Sequence, residues 1–161
     1  MKTGDNKDIE FMQAAIALAL KGVTQNEGGP FGAVVVKDGV IIGRGNNRVI
    51  STNDPTAHAE VVAIKDACAN LSSFQLDGCS IYTSCEPCPM CLGAIYWARI
   101  DKIFYACTKK DAAAIGFDDA FIYEELPLSL SERKIKSISL IREEGLKAFD
   151  TWREKADKVK Y

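Results

Sequence analysis

Hydrophobic and polar residues follow two different periods along this chain, one typical of helices and one typical of strands. Over Asp8–Lys21, apolar residues recur every three or four positions, which predicts an amphipathic helix. The apolar runs Phe31–Lys37 and Val40–Gly45 flank the two-residue turn Asp38-Gly39, and this arrangement predicts a β-hairpin. The chain therefore opens with a helix followed by two antiparallel strands.

Beyond the hairpin, predicted helices and strands alternate without internal repeats or low-complexity linkers. In chain order they are a helix over Ala57–Asn70, a strand over Cys79–Thr83, a helix from Pro87 to about Arg99, a strand over Lys102–Cys107, a helical turn over Lys109–Ile115, a loop over Gly116–Ala120, a fifth strand over Ile135–Ile141 and a closing helix over Glu143–Lys158. This alternation predicts an α/β fold whose central mixed sheet of about five strands is covered by helices on both faces. The 161 residues are enough for a single domain spanning the whole chain.

Composition narrows the possible partners and the compartment. The 20 Lys and Arg residues nearly balance the 22 Asp and Glu residues, so the net charge is -2. A large nucleic-acid footprint needs a clear basic excess, so a small substrate is the simpler expectation. No stretch reaches the roughly 18 apolar residues of a membrane span, and the acidic N-terminal region does not read as a signal peptide. We therefore expect a cytoplasmic protein.

Three of the six cysteines crowd into Cys85–Cys91, which suits metal binding better than a set of disulfides. His58 is the single histidine of the chain, and about thirty residues after it come Cys88 and Cys91. One imidazole and two thiolates would leave a fourth tetrahedral position open for water, as in catalytic zinc sites. These residues predict a Zn²⁺ site.

Glu60 lies two residues after His58 and is predicted to approach the zinc-activated water without becoming a ligand. The combination His-x-Glu followed by Pro-Cys-x-x-Cys resembles the signature of zinc deaminases. Two other interpretations stay open. Cys-x-x-Cys alone is also a redox motif, and Cys85 as a fourth ligand would close the site and make the protein a non-catalytic, zinc-stabilised binding module. The remaining cysteines, Cys68, Cys79 and Cys107, are predicted to be small core residues.

Longer stretches of the chain resemble the cytidine deaminase superfamily, and most closely its short bacterial-type guanine deaminases. The matching stretches are Gly28–Ala33, Asn53–Glu60, Thr83–Cys91 continuing to Trp97-Ala98-Arg99, Gly116–Phe121 and the closing Tyr161. The resemblance implies a three-layer α/β/α cytidine-deaminase-like fold. It also implies hydrolytic deamination of guanine to xanthine and ammonia, with Zn²⁺ held by His58, Cys88 and Cys91.

The resemblance further assigns individual roles. Glu60 and Asp119 would be catalytic, with Glu60 moving protons and Asp119 assisting at the leaving amine. The substrate-binding residues would be Phe31, Asn47, Ala57, Trp97, Asp119 and Tyr161. From the residues alone, Asn46 is as suitable as Asn47 to form a hydrogen bond with the substrate, and Asp118 is as suitable as Asp119. Phe31 alone would be predicted to be a core residue. The resemblance also implies a homodimer with exchanged C-terminal segments, so that Tyr161 would close the partner's active site.

Three rival functions share some of these features. A tRNA adenosine deaminase or a cytosine or deoxycytidylate deaminase would use the same zinc chemistry. The closing helix mixes acidic and basic residues instead of presenting a basic surface, which disfavours a tRNA substrate. The zinc-stabilised binding module is a non-catalytic alternative, and it provides no role for Glu60.

Overall fold

A computed structural model describes residues 6–161, which form two compact units, one ending at Asp119 and one spanning Ala120–Tyr161. Part of the acidic N-terminal region considered above lies outside the described residues. The first unit contains α1 (Asn6–Thr24), β1 (Gly32–Lys37), β2 (Val40–Asn46), α2 (Val49–Thr52), α3 (Ala59–Leu71), β3 (Cys79–Cys85), α4 (Pro89–Trp97), β4 (Lys102–Cys107) and α5 (Lys109–Ala114). The second unit contains α6 (Ala120–Glu125) and α7 (Arg142–Glu154).

The first unit is built on a mixed sheet with strand order β2-β1-β3-β4. Strand β1 pairs antiparallel with β2 and with β3, whereas β3 and β4 run parallel. Alternate residues of β1 point to opposite faces, as the period of a strand requires. Ala33 and Val35 join a core cluster with α3 and α4, while Val34 and Val36 pack with α1. The expected three-layer α/β/α arrangement is therefore confirmed.

Helix α3 approaches β2 so closely that only glycine fits between them. A Cβ atom on Gly45 would lie 2.2 Å from the carbonyl oxygen of Ala59, and one on Gly43 would lie 2.4 Å from that of Ala63. Ala59 is the first residue of α3, so this contact fixes the helix start against the sheet. The residues just before and after that start carry the candidate site.

Three details of the sequence prediction are wrong. The sheet has four strands, not about five, because Ile135–Ile141 forms no strand and its backbone joins no ladder of the described sheet. Helix α4 begins at Pro89 and not at Pro87, because Cys88 precedes Pro89 and is therefore held in an extended conformation, which makes it the cap. Cys107 is exposed, unlike the buried Cys79, because it ends an edge strand.

The second unit buries none of the residues of its two helices. Several large apolar side chains there are more than two-thirds exposed, among them Ile138, Leu140 and Phe149 at 79%, 76% and 69%. The single domain over the whole chain therefore stays a prediction. Among the described residues, no helix combines the length and the apolar character needed to cross a membrane.

Candidate metal and active site

Two helix starts carry the candidate metal ligands. His58 is the N-cap residue of α3 and Cys88 is the N-cap residue of α4, and neither side chain caps its own helix. Their carbonyl oxygens accept the first helical hydrogen bonds, from Val62 N at 3.0 Å and Leu92 N at 2.8 Å. The side chains are thereby free to turn toward each other, at a place where two helix dipoles favour negative charge.

The structure brings His58, Cys88 and Cys91 together, with their ligand atoms all within 4.8 Å of one another. His58 Nδ1 lies 3.6 Å from Cys88 Sγ and 3.5 Å from Cys91 Sγ. A tetrahedral zinc ion with Zn–N near 2.0 Å and Zn–S near 2.3 Å separates nitrogen from sulfur by about 3.5 Å. The donor atoms, their number and their spacing therefore fit Zn²⁺.

The shifted helix start leaves the pairing of the two thiols unchanged. Cys88 at the cap and Cys91 three residues later still lie on one side of the first turn. Cys85 is not part of the group, because it lies on β3 and its Sγ donates to the carbonyl oxygen of Thr108 at 3.4 Å. The geometry thus separates Cys85 from the three clustered donors and leaves a fourth position without a thiol.

The two clustered thiols differ in acidity. A hydrogen bond from Cys91, aided by His58, lowers the pKa of Cys88 to about 4. The neighbouring Cys88, burial and the carboxylate of Glu60 raise the pKa of Cys91. Cys88 is therefore a thiolate beside a second thiol and a buried acid. A divalent cation bound here would stabilise both cysteines as thiolates, because coordination deprotonates a thiol outright.

Glu60, in the first turn of α3, is 6% exposed and lies against this group. Its Oε2 accepts a hydrogen bond from Cys91 Sγ at 3.4 Å, and its Oε1 accepts one from Thr83 Oγ1 at 3.4 Å. Burial raises the pKa of the Glu60 carboxyl group. A carboxyl group with an elevated pKa beside a metal site is suited to accept and return a proton.

The two adjacent asparagines, left equivalent by the sequence, have different partners. Asn46 donates through Nδ2 to Glu27 Oε2 at 2.6 Å, which engages it in holding the loop after α1. Asn47 is buried, and its Oδ1 accepts from Gly29 N at 3.3 Å and Val49 N at 3.2 Å. These two bonds fix the amide orientation and leave the Asn47 nitrogen as a donor for a ligand.

The two adjacent aspartates also differ. Asp119 is half-buried whereas Asp118 is exposed. Burial raises the pKa of Asp119, and the negative Cys88 adds to the effect. The hydrogen bond with Cys88 is the main cause that raises the pKa of His58, and Asp119 adds a smaller contribution. Asp119 is therefore within electrostatic reach of the ligand group.

Two further predicted residues, Phe31 and Ala57, have defined contacts within the first unit. Phe31 is half-buried and meets the ring of Phe117 edge-on, with centroids 5.0 Å apart. Ala57 is buried directly before His58, and its carbonyl oxygen accepts from Arg48 N at 2.9 Å.

The last two predicted residues, Trp97 and Tyr161, are not among the clustered donors. Trp97 ends α4, roughly 9 Å along the helix axis from Cys91, and is 64% exposed. Tyr161 belongs to the other unit. Their roles in substrate binding stay predictions.

Sequence reasoning missed two residues of this region. Thr83 and Phe117 both lie inside stretches that carry the family resemblance, but no chemistry in the sequence singled them out. Thr83 reads as an ordinary strand residue until β3 is seen to place it against Glu60. Phe117 reads as a loop aromatic until its contact with Phe31 is seen.

Comparison with known proteins agrees with this geometry. Residues 5–107 match the family model of the cytidine and deoxycytidylate deaminase zinc-binding region. The chain is 55% identical over 151 residues to a guanine deaminase of Bacillus subtilis (strain 168), a match that covers 94% of this chain and 97% of that protein. It is 42% identical over 107 residues to a tRNA-specific adenosine deaminase of Aquifex aeolicus (strain VF5), covering 66% of this chain and 70% of that protein.

Solved structures give the same result. The crystal structure of the Bacillus subtilis guanine deaminase superposes with a TM-score of 0.92 at 55% identity, covering 94% of this chain and 97% of that one. A guanine deaminase from Nitrosomonas europaea superposes with a TM-score of 0.64 at 36% identity, covering 68% of this chain and 63% of that one. The donor atoms of His58, Cys88 and Cys91 suit Zn²⁺, and this chain belongs to the zinc-binding cytidine and deoxycytidylate deaminase family.

Proposed function

We propose that this protein is a zinc-dependent guanine deaminase, which hydrolyses guanine to xanthine and ammonia. The observation that carries the proposal is the 55% identity to the Bacillus subtilis guanine deaminase, which extends over 94% of the chain. That match covers 151 residues, whereas the match to the Aquifex adenosine deaminase covers 107. The longer match favours guanine as substrate.

The proposed mechanism assigns each step to a residue of this chain. His58, Cys88 and Cys91 would hold Zn²⁺, which lowers the pKa of a coordinated water so that hydroxide is available near neutral pH. Glu60 accepts the proton of the attacking water and passes it to ring N3 while oxygen bonds to C2. Glu60 then takes the remaining proton from the hydroxyl group on C2 and, with help from Asp119, delivers it to the exocyclic nitrogen. The C2 carbonyl of xanthine forms as the C2–N bond breaks and ammonia leaves.

Guanine recognition would use groups with fixed orientations. The Asn47 amide nitrogen donates to a purine acceptor, because its oxygen is held by Gly29 N and Val49 N. Phe31 stacks on the purine ring, and Asp119 accepts from the N–H groups of the guanine edge. Ala57 lines the pocket beside His58. The roles of Asn47 and Asp119 use the hydrogen-bonding capacity that their other partners leave available.

Two rival activities and one non-catalytic alternative can be separated by one assay. Zinc-loaded protein is incubated separately with guanine, adenine, cytosine, cytidine, deoxycytidylate and a tRNA anticodon stem-loop, and ammonia release is measured. We expect release from guanine alone. Ammonia release from the stem-loop or from a cytosine compound instead of guanine would identify that compound as the substrate. No ammonia release from any compound would favour the non-catalytic binding module.

We propose that Trp97 also lines the purine pocket. We further propose a homodimer with exchanged C-terminal segments, in which Tyr161 closes the partner's site. Two features support it. Strand β4 lies at the edge of the sheet, and exposed strand edges are sites for pairing with another strand. The segment 135–141 carries exposed Ile138 and Leu140 two positions apart, which suits an added strand. Sedimentation equilibrium should give a dimer, and a fully active monomer would contradict it.

A cytoplasmic location completes the proposal. All six cysteines are free thiols, and the metal group requires two of them as thiolates. Such a group is best maintained in a reducing compartment. Fractionation of producing cells should place guanine-dependent ammonia release in the cytoplasmic fraction.

A further inference from the structure

Phe117 is held in place by the way helix α5 ends. Gly116 adopts a φ of +92°, and its N–H donates to the carbonyl oxygen of Ala113 at 3.0 Å. The N–H of Phe117 donates to the carbonyl oxygen of Ala112, also at 3.0 Å. This pair of bonds is a Schellman motif, which satisfies the last carbonyl groups of a helix and fixes the residue that follows the glycine. The backbone of Phe117 is therefore set by α5.

The Phe117 ring lies against the loop that precedes β1. It meets Phe31 at an interplanar angle of 90° with centroids 5.0 Å apart, a favoured edge-to-face geometry. A Cβ atom on Gly29 would lie 2.8 Å from Phe117 Cζ, so the ring occupies the space that a side chain at position 29 would need. Phe117 thus contacts both Gly29 and Phe31.

The same loop is held from its other side by Asn47. Gly29 N donates to Asn47 Oδ1 at 3.3 Å, and Asn47 N donates to the Phe31 carbonyl oxygen at 2.9 Å. These bonds fix the backbone of the loop, while the Phe31 side chain packs against the core cluster shared by β1, α3 and α4. The aromatic ring that meets the Phe31 ring edge-on is that of Phe117.

We infer that Phe117 is a positioning residue for the purine, acting through Phe31. By fixing the plane of the Phe31 ring, it prepares a stacking surface before the substrate arrives and so lowers the ordering cost of binding. It also links this surface to Asp119, two residues further along the chain. The inference rests on the proposed function, since it takes Phe31 to be the surface on which guanine stacks.

Exposure argues against a role in core packing alone. Phe117 is 45% exposed and belongs to neither core cluster, whereas Phe31 is half-buried and packs against one of them. Large buried aromatic residues contribute to stability by removing their surface from water, and Phe117 leaves nearly half of its surface accessible. The edge-to-face contact with Phe31 is therefore better evidence for the role of Phe117 than its partial burial is.

The test compares Phe117→Ala, Phe117→Leu and Phe117→Tyr in the zinc-loaded, full-length protein. The variants are measured for kcat and KM with guanine, for calorimetric affinity for xanthine, and for zinc content and Tm. We expect Phe117→Ala to raise KM and weaken xanthine binding by about three- to tenfold with kcat within about twofold, consistent with the loss of an aromatic pair. Phe117→Leu should be intermediate, and Phe117→Tyr should restore KM because it keeps the ring.

Two controls separate positioning from structure. Phe74→Ala makes the same change at a ring of similar exposure, 51%, outside the site, and should leave KM unchanged. In a Phe31→Leu background, Phe117→Ala should add no further loss, because it acts through the ring already removed. Additive losses, an unchanged KM in Phe117→Ala, or losses that follow zinc content and Tm would overturn the inference.

Failure of the proposed function gives a different result. A wild-type protein that binds xanthine without deaminating guanine would refute the function, while xanthine affinity in the variants would still test Phe117. A wild-type protein that binds neither purine would overturn both proposals.

Discussion

The two units of this chain use their apolar residues in opposite ways. In the first unit, both faces of the sheet are covered, and residues such as Val34, Val35 and Ile81 are completely buried. In the second unit, no residue of α6 or α7 is buried, although the chain there is rich in large apolar side chains. Apolar surface of this extent on one unit is typical of an interaction surface.

The difference assigns separate tasks to the two units. The first unit contains the ligand group, Glu60, Asn47 and Asp119, so it holds the chemistry that the proposal requires. The second unit contains Tyr161 and contributes, in the proposal, the closure of a partner's site. Changes in the first unit should therefore affect catalysis and folding, whereas changes in the second should act through the partner subunit.

The largest expected effect is that of Glu60→Gln. The amide keeps the shape of the side chain but cannot accept a proton from water, so guanine turnover should fall by about 10²- to 10⁴-fold. Zinc content, measured by atomic spectrometry, should be unchanged because Glu60 is not one of the three clustered donors. The matched control Glu10→Gln, an exposed residue of α1, should be fully active. An active Glu60→Gln would refute the proposed proton transfer.

A smaller effect is expected at the end of the chain. Tyr161→Ala should raise KM for guanine by about tenfold through loss of an aromatic wall, and Tyr161→Phe should largely preserve it. Co-expression of Tyr161→Ala with Glu60→Gln then tests the exchange. Half of the dimers are mixed, and each contains one site with an intact Glu60 and an intact tail, so about a quarter of the wild-type activity should return.

Without exchange, the same mixture would give a different result. Every site with an intact Glu60 would then carry its own altered tail, and only half of the subunits have an intact Glu60, so the activity would be about half that of Tyr161→Ala at the same total protein. The comparison at a guanine concentration below KM distinguishes the two outcomes.

The fold of the first unit was largely predictable because its elements bury one face or are fully enclosed. The hairpin around Asp38-Gly39 and the strand Lys102–Cys107 follow directly from local patterns. The segment Ile135–Ile141 was not predictable in this way, since its pattern of apolar residues resembles a strand but a strand also requires a neighbour. A local pattern does not reveal which surface a segment covers.

The candidate site was predictable where it uses residue types that are rare in this chain. A single histidine and a cluster of cysteines identify a metal site by residue type alone, and the structure brings His58, Cys88 and Cys91 together. Thr83 and Phe117 have common side chains whose significance depends on a contact made across the sheet or between loops. Such contacts follow from the fold and not from the local sequence.

A moderate effect on stability is expected at the tight contact in the first unit. Gly45→Ala would place a methyl group 2.2 Å from the carbonyl oxygen of Ala59, so α3 must move away from β2. We expect a loss of about 1–3 kcal/mol in the free energy of unfolding, as for other overpacked cores, measured by urea denaturation. Guanine turnover should fall as well, because Glu60 moves with α3. Unchanged stability would contradict the close packing.

The smallest effect compares two helical glycines, Gly93 in α4 and Gly145 in α7. A Cβ atom at either position meets nothing within 4 Å, so alanine fits at both. Replacing glycine by alanine in a helix raises the free energy of unfolding by about 0.4–1 kcal/mol, mainly by restricting the unfolded chain. In the proposed dimer the second unit unfolds together with the first, so both variants should gain stability equally in urea denaturation. A gain from Gly93→Ala alone would show that α7 unfolds independently, and the exchanged dimer would then lose its physical basis.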